Sequence, residues 1–185
     1  MAIITNRESL ERRHLEYNSL KYALDALESA VMSVQPEILI RRAVKLSDSK
    51  LLISDIRGNK AELDVDNFKS IFIVGAGKGT AKMAKALSHI LKGKITHGAI
   101  NVPYGNKTHV NSISITEANH PIPDEAGVEG TNKIINILKK THRSDLVFVL
   151  ISGGGSALMP FPVSGLELDD KKKITCNMLG SGAST

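Results

Sequence analysis

Residues 70–80 read SIFIVGAGKGT and residues 145–156 read DLVFVLISGGGS. Both stretches pass from an unbroken apolar run straight into glycine. Ile71 to Val74 and Leu146 to Ile151 carry no polar interruption, the pattern of a strand buried on both faces in a parallel sheet. An amphipathic helix follows the first, with Met83, Ala84, Leu87, Ile90 and Leu91 on one side. Gly98 to Val102 (GAINV) and Ile113 to Thr116 read as two more strands. A helix is expected over 126–140, carrying Val128, Ile134, Ile135 and Leu138. A last helix is expected from about Leu168 or Asp169, with Ile174, Met178 and Leu179 turned inward. Strands alternating with helices give the fold class as α/β, with a mostly parallel sheet covered on both faces. Ligands in such sheets bind beyond the carboxyl ends of the strands, where both glycine-rich loops fall.

Working outward, the N-terminal segment is helical, since Leu10, Tyr17, Leu20, Leu24, Leu27 and Val31 recur at helical spacings. Thr5 and Glu8 have capping-box spacing. Pro36 suits the first turn of a second, short helix through Ile40 and Ala43. Residues 1–46 are therefore expected to form a helical collar, and residues 50–185 the sheet body. The body opens with a hairpin, Leu51–Ile56 and Ala61–Val65, turning at Gly58-Asn59.

Composition narrows the function. Of 185 residues, 42% are hydrophobic, so a disordered chain is excluded. The longest apolar run, Leu146 to Ile151, is far short of the ~20 residues a membrane helix needs. The formal net charge of +5 points to an anionic ligand. Nucleic acid fits poorly, because there is no Trp and aromatic residues are only 4%. Lys171, Lys172 and Lys173 read as a solvated face. The single cysteine, Cys176, has no internal partner, and MAIITNRESLERR lacks a secretory apolar core. Both point to the cytoplasm.

Three loops carry the chemistry. In GAGKGT (75–80), Gly75, Gly77 and Gly79 allow backbone amides to approach a phosphate, Lys78 adds a mobile cation, and Thr80 adds a hydroxyl. The spacing matches neither G-x-x-x-x-G-K-[ST] nor G-x-G-x-x-G, and a tight turn with an exposed lysine is the alternative. In SGGGSAL (152–158), Gly153, Gly154 and Gly155 between Ser152 and Ser156 suit an amide nest around an anion. Ser156 is a poor nucleophile candidate, because Leu158 stands where the G-x-S-x-G elbow needs glycine. In EANHPIPDEAG (117–127), the carboxylates of Glu117, Asp124 and Glu125 could orient a hydroxyl substrate or hold Mg²⁺ through water, and His120 could act as a base or hold the loop's shape through hydrogen bonds. A rigid turn with Asp124 capping the next helix is the other reading. No zinc spacing occurs, and the metal ligands stay unassigned.

Taken in order, GAGK with a following Lys82-Met83-Ala84, then E-A-x-H-P-x-P-D-E-x-G, then L-I-S-G-G-G-S-A-L resembles the glycerate 2-kinase family, some members of which are labelled hydroxypyruvate reductase. Leu168-Asp169-Asp170-Lys171 and Ser181-Gly182-Ala183 extend the resemblance, which runs from about Pro36 to the last residue. It implies a three-layer Rossmann-like domain preceded by helices. It also implies ATP-dependent phosphorylation of D-glycerate to 2-phosphoglycerate with Mg²⁺. Lys78 then lies near the transferred phosphate, Gly153, Gly154, Gly155 and Ser156 line the cleft, and Glu117, His120 and Asp124 form its acidic-histidine loop. Asn119 departs from the family's usual glycine, and Gly79 and Thr80 stand where alanine is common. The family carries a second, C-terminal domain (MOFRL) that these 185 residues do not include. The expectation is thus a chain weak or inactive alone, completed by that domain or by a homo-oligomer. Two alternatives stand beside it: an NAD(P)-dependent hydroxypyruvate reductase, and a non-catalytic domain binding phosphosugars or sugar acids.

Overall fold

A computed structural model of the chain describes residues 3–14 and 18–182. The helical N-terminus divides into α1 (Arg7–Arg13) and α2 (Asn18–Ser33); Tyr17 of the helical pattern lies outside the described residues. The Thr5–Glu8 capping box does not form: α1 is capped by Asn6 without a side-chain bond. Arg7 ties α1 to α2 instead, pairing with Glu28 at 2.6 Å and with Asp25. Only Leu24 of α2 is buried. Pro36 opens α3 (Pro36–Ala43) as expected, because a missing N–H costs nothing in a first turn.

Two sheets follow. The expected hairpin is present as β2 (Lys50–Ser54) and β3 (Lys60–Asp64). It gains an unanticipated third strand, β1 (Val44–Ser47), which pairs antiparallel with β2 and crosses the boundary drawn between collar and body. The larger sheet has four parallel strands: β4 (Ser70–Ala76), β5 (His97–Pro103), β6 (Ile113–Ala118) and β7 (Asp145–Ile151), in the order β6-β5-β4-β7. From β4 the chain steps outward through α4 (Thr80–Leu91) to β5 and β6. It then returns through α5 (Glu125–Leu138) to β7, on the other side of β4.

Right-handed crossovers in opposite directions place α4 and α5 on opposite faces. The strand alternation agrees. Ile71 and Ile73 pack with Ala84, Leu87 and Leu91 of α4, whereas Phe72 and Val74 pack with Ile134 and Ile137 of α5. Outside α4 lie α3 and the small sheet, whose Val44 and Leu51 join the same core. The three-layer α/β architecture is as the sequence implies. Its direction of winding reverses between β4 and β7, and the crevice at that reversal opens at their carboxyl ends.

Two short elements complete the body. α6 (Gly155–Leu158) is a single turn, and α7 (Leu168–Gly180) carries a capping box of Glu167 and Asp170. Here the sequence reading is corrected. Ile174 and Leu179 do not turn into a core; they are 55% and 43% exposed, and α7 buries none of its residues. An ion pair from Lys172 to Glu125 at 2.8 Å ties it to the start of α5.

The fold rests on a close approach between β4 and β7. A Cβ on Gly75 would stand 1.9 Å from the Leu150 carbonyl oxygen. Gly75→Ala is therefore expected to cost at least ~3 kcal/mol in urea unfolding. Gly58→Ala, at φ +85 in the open hairpin turn, meets nothing within 4 Å. It should cost only about 1 kcal/mol, from backbone strain.

Candidate active site

The two glycine-rich loops leave adjacent strands at the same height and bond to each other. Gly77 N–H donates to Asn101 O (3.1 Å), Lys78 N–H to Gly153 O (2.9 Å) and Thr80 N–H to Gly77 O (3.3 Å). Gly79 N–H donates to Ser152 Oγ at 2.9 Å. Ser152 N–H returns a bond to Ala76 O at 3.2 Å. Thr80 is fully buried, with Oγ1 3.2 Å from Ser152 Oγ. The first loop thus spends its amides, the Thr80 hydroxyl and the Ser152 hydroxyl on internal contacts. Its glycines serve backbone approach: a Cβ on Gly77 would lie 2.1 Å from Ser152 Oγ, and one on Gly79 would press on Pro36 of α3 at 3.0 Å. Lys78 alone projects outward. Its side chain is exposed, with no ion-pair partner among the described residues.

The second loop is the reverse. Among the described residues, no acceptor takes the amides of Gly153, Gly154, Ser156 or Ala157. Gly154 sits at φ +88, and a Cβ there would meet His120 Nε2 at 2.8 Å and Lys78 Cε at 3.5 Å. Only glycine allows this approach, which brings all three loops to one point. Ser156 is exposed beside it. Partial burial holds the His120 imidazole below its usual range, and the neighbouring Lys78 charge pushes it in the same direction.

The third loop is held by its own carboxylates. Glu117 Oε1 accepts from Gly105 N–H at 2.7 Å. Asp124 caps α5 through Gly127 N–H at 2.9 Å and accepts from Tyr104 Oη at 2.9 Å, a bond that raises the Tyr104 phenol. Asn119 Nδ2 bonds Ile122 O at 3.0 Å. The structure therefore brings His120 to Lys78 and Gly154, and ties Glu117 and Asp124 into the loop's frame. This donor set does not build a cage for Mg²⁺: both carboxylates are engaged, and no cluster of three candidate metal-ligating side chains occurs among the described residues.

One residue of the site escaped the sequence reading. Asn101 is fully buried in the carboxyl-terminal half of β5. Its Nδ2 donates to Leu158 O (2.8 Å) and Gly127 O (3.1 Å), while its backbone carbonyl receives Gly77 N–H. It joins the first loop, α5 and α6. Among the described residues Oδ1 has no hydrogen bond, and it lies where a Cβ on Gly130 would stand 2.0 Å away. The available signal was a lone amide within the apolar GAINV strand.

Beside the meeting point lies a cavity of about 550 Å³. His120, Gly154 and Ser156 line it on the side of the loops, and its lining also includes Lys171 and the apolar Phe161, Val163, Leu166, Ile174 and Met178.

The model of a domain family described as a domain of unknown function, DUF4147, matches residues 22–185. The chain belongs to this family. A glycerate 2-kinase of Pyrococcus horikoshii is 35% identical over 154 residues, covering 83% of this chain and 33% of the relative. A protein of Agrobacterium vitis named putative hydroxypyruvate reductase is 40% identical over 111 residues, 60% of this chain and 29% of its own length. The crystal structure of a Thermotoga maritima glycerate kinase superposes with a TM-score of 0.69 at 28% identity, covering 89% of this chain and 35% of that one. The DUF4147 chain spans about a third of the length of these relatives.

Two outcomes test this geometry. In an NMR pH titration, His120 should titrate below the ordinary histidine range, so that it is neutral at pH 7. Lys78→Ala should move its midpoint up, though not fully, because partial burial is the larger cause. Protonation is the disfavoured state in the fold, so stability should fall as pH drops through the window between the lowered and the ordinary value. Asn101→Ala leaves the Gly127 and Leu158 carbonyls without that donor. It should cost about 2–3 kcal/mol in urea unfolding.

Proposed function

We propose that this chain forms one wall of a D-glycerate 2-kinase cleft, in which ATP phosphorylates D-glycerate to 2-phosphoglycerate. The carrying observation is the division of labour at the crevice between β4 and β7. Among the described residues Lys78 has no ion-pair partner, and it lies against Gly154 of the second loop, four of whose amides have no acceptor there. Phosphoryl transfer asks a protein for positioning and charge neutralisation more than for covalent chemistry. Amides fixed in place and one lysine supply both. His120, kept neutral, is suited to accept a proton from a substrate hydroxyl. Mg²⁺ enters this reading as the ion a nucleotide carries on its own phosphates.

The kinases among the relatives support the reading, and so does the internal pairing of the first loop. A dinucleotide-binding turn presents those amides to a pyrophosphate, whereas here they bond Asn101, Gly153 and Ser152. β5, HGAINVP, also has no acidic residue to receive a ribose hydroxyl.

The test is ADP release from ATP, Mg²⁺ and D-glycerate, with the product read through enolase, which consumes 2-phosphoglycerate. Slow, glycerate-dependent turnover is expected, well below that of a full-length relative, and Lys78→Ala should lower it ~100-fold. Hydroxypyruvate-dependent NADH oxidation without ADP release would replace this reading with the reductase. Turnover equal to a full-length relative would show that one wall suffices.

A further inference from the structure

We infer that the apolar part of the cavity between α7 and residues 161–166 is the seat of the phosphoryl donor's nucleoside, with the phosphates directed at the second loop. The inference rests on the kinase reading and adds to it a place for the base. Three observations carry it.

The first is a mismatch of chemistry. D-glycerate is a small acid with almost no apolar surface, yet most of this cavity of about 550 Å³ is walled by Phe161, Val163, Leu166, Ile174 and Met178. A pocket of this size with an apolar wall and a few polar groups suits a ligand with one flat, weakly polar part. The second is charge. The lining contains the cation Lys171 and no carboxylate, and Lys78 lies against Gly154 where the loops meet. The ligand is therefore apolar at one end and strongly anionic at the other, which describes a nucleoside polyphosphate. The third is presentation. Phe161, Val163 and Ile174 are 56%, 66% and 55% exposed and converge on one space. Phe161 offers a ring for stacking, and purines stack on aromatic faces irrespective of hydrogen-bond readout.

The experiment follows methyl and amide resonances of the chain during titration with ATP, adenosine and inorganic tripolyphosphate. Adenosine and ATP should shift Leu166, Ile174 and Met178 methyls. Tripolyphosphate and ATP should shift the amides of residues 153–157. Phe161→Ala and, separately, Ile174→Ser should each weaken ATP and adenosine about tenfold and leave tripolyphosphate unchanged. Both side chains are over half exposed, so neither change removes core packing. ATP shifts confined to residues 78 and 153–157, with the wall silent, would overturn the nucleoside site. The phosphate reading would then stand, and the wall would be a surface for polypeptide. Adenosine on the wall without any tripolyphosphate response would keep the nucleoside site and overturn phosphoryl transfer. Silence from all three ligands at millimolar concentration would overturn both.

Discussion

Two backbones meet where no side chain fits, and the rest of the site depends on that contact. Gly75 of β4 lies against the Leu150 carbonyl of β7, and two residues on Gly77 lies against Ser152. The strands are hydrogen-bonded neighbours from Ser70 and Asp145 to Ala76 and Ile151. With no Cβ between them, the loops beyond also lie close enough to bond. Gly79 N–H then reaches Ser152 Oγ, and Lys78 N–H reaches Gly153 O. Those bonds fix the main chain on both sides of Lys78, so its side chain leaves from a rigid base. They also fix Gly153, the first of the four residues (153, 154, 156 and 157) whose amides have no acceptor among the described residues. A side chain at 75 or 77 would part the strands and separate the lysine from the amides in one step.

The same contact explains why one loop is closed and the other open. Backbone donors buried without partners are costly, so a loop packed between two strands and a helix must satisfy its amides within the protein. The first loop sits there, between β4, α4 and Pro36 of α3. The second loop follows β7, an edge strand whose Val149 and Ile151 are 61% and 52% exposed. Its amides border open space and keep their capacity for an external acceptor.

Much of this fold was legible because fully buried strands have no alternation to hide in. IFIV and LVFVLI announce themselves, and the turn signals around them set the element order. What the glycines do was not legible. A glycine reports only that something comes close. Whether that is a phosphate or another backbone is decided by the strand order, which no local stretch encodes; at Gly75 and Gly77 it is the backbone of β7. The carboxylates of the third loop follow the same logic. Asp124 has the spacing of a cap and acts as one, and Glu117 secures Gly105, though both also read as ligands. α7 failed for a different reason. Its apolar residues have helical spacing, but periodicity gives a face and not what covers it. Asn101 was readable as an anomaly, since a buried amide in an apolar strand needs partners. Those partners come from residues 26 and 57 positions away.

The charge arrangement sets what the site can do alone. A triphosphate carries more negative charge than Lys78 and Lys171 offset, and the amides of residues 153–157 contribute only partial charges. Keeping His120 neutral frees it to take a proton, at the expense of one further cation. On the kinase reading, the remaining neutralisation comes from an ion travelling with the nucleotide or from groups outside this third of the relatives' length. On that reading, a cleft assembled this way binds its polyanion weakly until it is closed from the other side. It becomes most effective once water is excluded, because the same lysine and amides act more strongly at low dielectric. On the kinase reading, the open second loop and the rigid first loop then have complementary roles: one accepts the anion, and the other holds the lysine at a constant distance from it.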